Sequence, residues 1–94
     1  MTKAKQIFYD RMELDDGAIV EMKIWLVPTP VLPSDHNFKY SLFYGRKGQR
    51  IVSYDNEQGK GDHKHILNKE EPYEFVSVQQ LIIDFKADVK GNQT

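Results

Sequence analysis

The sequence predicts an α+β fold, in which a four- to five-stranded, mainly antiparallel sheet packs against one C-terminal helix. Apolar and polar residues alternate with a period of two in several segments, and glycine-containing turns separate these segments. Only the last segment has the period of an amphipathic helix. With 94 residues, the chain is expected to form a single domain over residues 1–94, because so short a chain cannot bury two cores.

The first predicted unit is a β-hairpin with strands over residues 6–14 and 18–27. The turn Asp15-Asp16-Gly17 joins them, and its glycine supplies the positive φ that a tight turn needs. The second strand alternates regularly, whereas the first places Asp10 on the same face as its apolar residues. We therefore expect the first strand to lie at an edge of the sheet or to contain a bulge.

Prolines between residues 28 and 33 end the second strand and predict a stiff connection to a second hairpin. The strands of this hairpin are predicted over residues 38–44 and 50–54, around the turn Gly45-Arg46-Lys47-Gly48. Residues 72–76 are β-prone and are interpreted as a fifth strand or an extended segment.

A C-terminal helix is predicted to begin after Ser77, which serves as the N-cap of a capping box with Gln80. Its apolar residues recur at helical spacing and would form one stripe against the sheet. They are Val78, Leu81, Ile82, Phe85 and Val89.

Composition excludes several classes of function. The chain has no cysteine, which excludes disulfides, thiolate metal sites and cysteine nucleophiles. No apolar stretch approaches the roughly 20 residues of a membrane span, so we expect a cytoplasmic protein without a membrane partner. The net charge of -1 neither supports nor excludes RNA as a ligand.

The polar run over residues 54–65 is the candidate site, because it concentrates carboxylates, a lysine and two imidazoles. His63 and His65 would lie on the same face of a strand. They are suited to act as general acid and base on a phosphodiester, with Lys60 or Arg50 stabilising negative charge and carboxylates orienting an imidazole. The candidate catalytic residues are His63, His65, Lys60, Asp55, Glu57 and Asp62.

RNA is the natural substrate for such a set of residues, because its 2′-hydroxyl is an internal nucleophile and no cofactor is needed. The same histidines with Asp62, Asp55 or Glu57 are alternatively suited to hold a divalent metal ion. A third interpretation is that both histidines are ordinary half-exposed strand residues.

Further residues are candidates for binding the substrate. The backbone N–H groups around Gly59 and Gly61 are suited to cradle a phosphate, although a flexible glycine turn explains them equally well. Basic residues at the tip of the second hairpin are suited to contact a phosphate backbone, and Tyr54 to stack on a base. The candidate substrate-binding residues are Arg46, Lys47, Arg50, Tyr54, Gly59 and Gly61.

The chain resembles the TumE-type toxins of bacterial and archaeal toxin–antitoxin systems over most of its length. The resemblance is carried by Asp16-Gly17, Ile24-Trp25, Val27-Pro28, Tyr40 to Gly45, Tyr54 to Glu57, Gly59 to His63, His65, Glu71 to Tyr73, and Phe75. It implies a small cytoplasmic toxin that is bound and neutralised by an antitoxin, often a helix-turn-helix protein. It carries over no catalytic residue.

Our leading hypothesis is therefore a toxin that acts on RNA as a small ribonuclease through histidine acid–base catalysis. Two alternatives remain open. The polar run would be a recognition loop in a non-enzymatic module that blocks a nucleic-acid or protein partner, or part of the active site of a metal-dependent hydrolase.

Overall fold

The computed structural model describes residues 3–93. Within these residues, six strands form one antiparallel sheet in chain order and a single helix follows them. Each strand pairs with the next, so the sheet is a meander. The elements are β1 (Lys5–Glu13), β2 (Ile19–Leu26), β3 (Phe38–Arg46), β4 (Gln49–Glu57), β5 (Gly61–Ile66), β6 (Lys69–Pro72) and α1 (Val78–Gly91).

The α+β class is confirmed, but the sheet has six strands and not four to five. The polar run does not form a loop, because β4 continues to Glu57 and β5 begins at Gly61. The segment predicted as a fifth strand forms one only at Pro72, where β6 ends. Period-two alternation of apolar residues missed β5 and β6 because both strands carry polar side chains on both faces.

The first strand was predicted to lie at an edge of the sheet or to contain a bulge, and it does both. β1 lies at the edge of the sheet, and its register against β2 shifts between Gln6 and Phe8. This bulge places Phe8 opposite Ile24 and on the face that packs against the core.

The core lies between α1 and one face of the sheet. Ser77 caps the helix as predicted, its side chain accepting a hydrogen bond of 3.0 Å from the backbone N–H of Gln80. Leu81, Phe85 and Val89 are the buried helix residues. The buried hydrophobic side chains of β2, β3 and β4 are Met22, Ile24, Tyr40, Leu42, Tyr44, Val52 and Tyr54.

Successive strand residues point to opposite sides of a sheet, so the intervening side chains lie on the face away from α1. We call this the outer face. No helix among residues 3–93 is long and apolar enough to cross a membrane.

Candidate active site

The register of β4 and β5 divides the polar run between the two faces of the sheet. Asp55 lies directly opposite His63, and Asn56 directly opposite Asp62. Because side chains alternate, Asp55 and His63 share the outer face, and Asn56 and Asp62 share the face that packs against α1. Neighbouring residues of one motif therefore belong to two separate sites.

Six residues gather on the outer face around the β4–β5 hairpin. One of them, Glu70 on β6, lies opposite His65 and was not among the predicted site residues. We call this group the outer-face cluster. Its members are Asp55, Glu57, Lys60, His63, His65 and Glu70.

Glu70 links the cationic groups of the outer-face cluster. Its Oε2 accepts a hydrogen bond of 3.0 Å from Lys60 Nζ and lies 2.9 Å from Nε2 of His65. The hydrogen bond from Lys60 holds the pKa of Glu70 below its usual value, and the same contact raises the pKa of Lys60. Lys60 and Glu70 therefore form a charged pair beside His65.

His63 is held more tightly than His65. Its Nδ1 lies 2.9 Å from the carbonyl oxygen of Gly61, and its Nε2 lies 2.5 Å from Oδ1 of Asp55. The side chain of His63 is 6% exposed, against 15% for His65. His65 is therefore the imidazole that a substrate can reach more easily.

Several buried polar atoms around the outer-face cluster have no hydrogen-bond partner within the described part of the chain. They are Ser53 Oγ, Asp55 Oδ1, His63 Nε2 and His65 Nδ1. Buried polar groups are nearly always paired in folded proteins, and exceptions often mark a functional site or a bound ion. The close approach of Asp55 and His63 thus lacks the alignment of a hydrogen bond.

Two sets of side chains within the outer-face cluster have the spacing needed to hold a metal ion. Both sets share His63. One set adds Asp55 and Glu57, and the other adds His65 and Glu70. Nitrogen and oxygen donors of these types are common ligands of divalent transition metals.

Asp62 belongs to a different group, on the face that packs against α1. It accepts hydrogen bonds from the hydroxyls of Ser34 and Tyr40, the latter at 2.7 Å, and its Oδ2 lies 2.7 Å from Nε2 of His36. We call these four residues the Asp62 network. Burial opposes ionisation of Asp62, but the hydrogen bonds from Ser34, Tyr40 and His36 outweigh it and hold the pKa of Asp62 below its usual value.

The structure thus separates Asp62 from the other predicted catalytic residues. His36, the third histidine of the chain, is half-buried and contacts Phe75 with ring centroids 3.8 Å apart.

Tyr54 is 1% exposed and lies beneath α1. Its hydroxyl donates to the carboxylate of Asp88, and burial followed by this hydrogen bond raises the pKa of the phenol. Tyr54 is therefore placed to stabilise the packing of α1 and not to stack on a base.

The backbone around the two glycines is already hydrogen-bonded. The N–H of Gly59 donates to the carbonyl of Leu32 at 2.8 Å, and that of Lys60 donates to Glu57 at 3.0 Å. Gly61 lies in the sheet with a φ of 76°, where a Cβ would meet the ring of Pro33 at 3.1 Å. These amides are not free for a phosphate, and Gly61 instead positions the carbonyl that contacts His63.

The basic residues of the β3–β4 turn lie at the far end of β4 from Asp55, roughly 17 Å away at 3.4 Å per residue. Arg46 donates to Asp16 in the β1–β2 turn at 2.6 Å. Lys47 and Arg50 are exposed. The structure therefore leaves these residues outside the outer-face cluster.

A shallow cavity of about 260 Å³ lies beside the outer-face cluster. Its volume falls below the roughly 300 to 1,000 Å³ of pockets that enclose small ligands. The residues lining it are Lys60, Asp62, His63, Glu70, Glu71 and Pro72.

Comparison with known protein families matches residues 2–93 to the family described as "Toxin TumE". No curated protein matches the chain significantly. No solved structure does so either. The match covers nearly the whole sequence and agrees with the resemblance carried by the polar run. The chain therefore belongs to the TumE family of toxins.

Proposed function

We propose that this toxin acts on RNA as a small ribonuclease and that the outer-face cluster is its active site. The observation that carries the proposal is the arrangement of His65, Glu70 and Lys60 on the outer face, where one oxygen of Glu70 lies within hydrogen-bond distance of both His65 and Lys60. An imidazole that exchanges protons and a cation that binds phosphate are the groups that cleavage of a phosphodiester requires.

RNA carries its own nucleophile, and this reduces what the protein must supply. In the proposed reaction, His65 takes the proton of a 2′-hydroxyl, whose oxygen attacks the adjacent phosphorus. The bond from phosphorus to the 5′ oxygen breaks, and a 2′,3′-cyclic phosphate forms. The leaving 5′ oxygen takes up a proton from a water molecule, and the proton that His65 has accepted passes to the resulting hydroxide.

Each remaining residue has a definite role in this proposal. The ammonium group of Lys60 stabilises the negative charge that grows on the phosphate. Glu70 orients both Lys60 and His65, because one of its oxygens contacts both. His63 is too buried to be the first base and instead lines the site with Asp55.

An extended polymer fits the outer face better than a small metabolite does. The cavity is shallow and small, so it would accommodate a local segment of a longer chain. Lys47 is exposed in the turn at the other end of β4, where it is positioned to contact a phosphate several nucleotides away, whereas Arg50 alternates with Val52 and Tyr54 onto the side of α1. The RNA backbone would then follow the hairpin lengthwise.

The toxin would also need a protein partner and a cellular compartment in which it meets RNA. Membership in a toxin family implies a cognate antitoxin. We expect a helix-turn-helix antitoxin and a cytoplasmic site of action, where both partners would meet RNA.

The decisive experiment incubates purified protein with labelled single-stranded RNA and compares wild type with H65A. We expect H65A to reduce the cleavage rate by about 10² to 10⁴, the range for loss of a general acid or base. The same substitution should abolish growth inhibition in cells. Circular dichroism and urea unfolding would verify that the variant is folded.

Matched lysine variants serve as the control. K60A should lose most cleavage, whereas K39A, which removes an exposed lysine from β3, should keep it. Growth arrest by folded H65A would contradict the proposal. Absence of cleavage by wild type at every protein concentration would instead favour a non-enzymatic binding module.

A further inference from the structure

We infer that Asp55, Glu57 and His63 form a binding site for a divalent transition-metal ion. The inference goes beyond the proposed function and does not depend on RNA being the substrate. It follows from the orientation of one imidazole, from buried atoms without partners and from the balance of charge around them.

The backbone of its own strand fixes the orientation of His63. Its Nδ1 faces the carbonyl oxygen of Gly61 at 2.9 Å, and a carbonyl can only accept a hydrogen bond, so Nδ1 carries a proton. In the neutral ring, Nε2 then has a free lone pair. Histidines that bind metals commonly donate their other N–H to a backbone carbonyl in this way, which fixes the ring and its tautomer.

Nε2 of His63 is close to the carboxylate of Asp55. It lies 2.5 Å from Oδ1 of Asp55, which is also an acceptor, without the alignment of a hydrogen bond. Both atoms are buried, and neither has a hydrogen-bond partner among residues 3–93. His63 is 4% exposed, so water does not readily supply the missing donor. Two acceptors in such contact require a cation between or beside them.

The charge around His63 favours a divalent cation over a single proton. Glu57 adds a second carboxylate from the same face of β4, and its ligand oxygen lies within 4.8 Å of those of Asp55 and His63. Within the described part of the chain, Glu57 has no side-chain ion pair, and only the more distant charge of Lys60 partly offsets its own. With a neutral imidazole, these three residues carry two negative charges, which a divalent ion would balance.

The donor set narrows the choice of metal. One imidazole nitrogen and two carboxylate oxygens suit Zn²⁺ or Mn²⁺, and they leave further coordination positions for water. Ligand atoms around tetrahedral zinc lie about 3.3 Å apart, given bonds of 2.0 to 2.1 Å. The Asp55 and His63 atoms would therefore need to separate by less than about 1 Å.

The alternative set of His63, His65 and Glu70 is a weaker candidate. Glu70 already accepts a hydrogen bond from Lys60, whose ammonium would repel a cation placed there. Placing the metal on the Glu57 side leaves His65, Glu70 and Lys60 together as a separate group.

The experiment titrates chelator-treated, tag-free protein with ZnCl₂ and with MnCl₂ in an isothermal calorimeter. We expect one ion to bind per chain. E57Q should weaken the affinity by at least about tenfold, because it removes a charged ligand without disturbing a buried contact. D55N should weaken it at least as much. Circular dichroism would establish that both variants are folded.

Two further variants determine whether the assigned ligands are correct. E13Q removes an exposed carboxylate from β1, at the distant edge of the sheet, and should bind the metal like wild type. Weaker binding in E70Q with unchanged binding in E57Q would overturn the assignment to Glu57. Absence of binding by wild type up to millimolar metal would overturn the inference as a whole. Neither result would bear on RNA cleavage, which the calorimeter does not measure.

Discussion

Two histidine–carboxylate pairs lie on opposite faces of the sheet, and their carboxylates differ in the number of hydrogen bonds they accept. On the side of α1, Asp62 lies 2.7 Å from His36 and accepts further hydrogen bonds from Ser34 and Tyr40. On the outer face, Asp55 lies 2.5 Å from His63, yet its Oδ1 has no hydrogen-bond partner among residues 3–93.

The difference indicates which pair is structural. The Asp62 network satisfies its buried polar groups and joins the connection before β3 to β5, so it stabilises the fold. The outer-face cluster leaves buried acceptors unpaired, which lowers stability unless a ligand supplies what is missing. Because Asp62 and His63 are consecutive in the sequence, the pleat of β5 alone separates these two roles.

The largest effect is expected in the free energy of unfolding of D62N, compared with that of D55N. Both variants are unfolded with urea in the presence of a chelator. D62N places an amide among hydroxyl and imidazole donors, so we expect it to lower the free energy of unfolding by about 2 to 4 kcal/mol. D55N places an N–H beside the lone pair of His63, so its stability should stay within about 1 kcal/mol of wild type. Equal losses in the two variants would contradict the division into a structural and a functional pair.

Zn²⁺ should stabilise the wild-type protein much more than it stabilises D55N. At a free Zn²⁺ concentration of 100 times its Kd, wild-type protein should gain about 2.7 kcal/mol in the free energy of unfolding. Under the same conditions, D55N should gain much less because it lacks a ligand, although without metal it is nearly as stable as wild type. Thermal unfolding with and without ZnCl₂ measures the gain. A gain in D55N as large as in wild type would place the stabilising ion elsewhere.

A smaller effect is expected from a single donor of the Asp62 network. Tyr40 is fully buried, and burial followed by its hydrogen bond to Asp62 raises the pKa of the phenol. Y40F removes that hydroxyl and keeps the ring, so it should cost about 1 to 2 kcal/mol, less than D62N. Urea unfolding measures it, and Y9F is the matched control, because Tyr9 is 53% exposed at the edge strand. A loss in Y40F no larger than in Y9F would show that Asp62 does not depend on this donor.

The fold was predictable where local signals agree. Alternation identified β2 and β3, and the capping box at Ser77 identified the start of α1. β6 was missed because the turn before it contains no glycine. Leu67 instead adopts a φ of 57°, which is uncommon for a residue with a Cβ.

The sequence predicts which residue types form the candidate site, but it does not predict how these residues are divided between the two faces of the sheet. The spacing of His63 and His65 correctly implied a shared face. The assignment of Asp62 required the strand register, which a run of polar residues does not reveal. Glu70 could not be assigned without β6, since it approaches His65 only through the β5–β6 pairing.

The smallest expected effect concerns Ser53, which lies opposite His65 on the outer face. Ser53 is 5% exposed, and its hydroxyl oxygen has no hydrogen-bond partner within residues 3–93. S53A removes an unsatisfied polar group and little volume, so we expect stability to stay equal or to rise by less than about 1 kcal/mol. Urea unfolding of S53A beside Y40F measures the contrast between two buried hydroxyls, one unpaired and one paired. A loss in S53A as large as in Y40F would mean that the outer face is as fully satisfied as the Asp62 network, and the physical basis for separating them would fail.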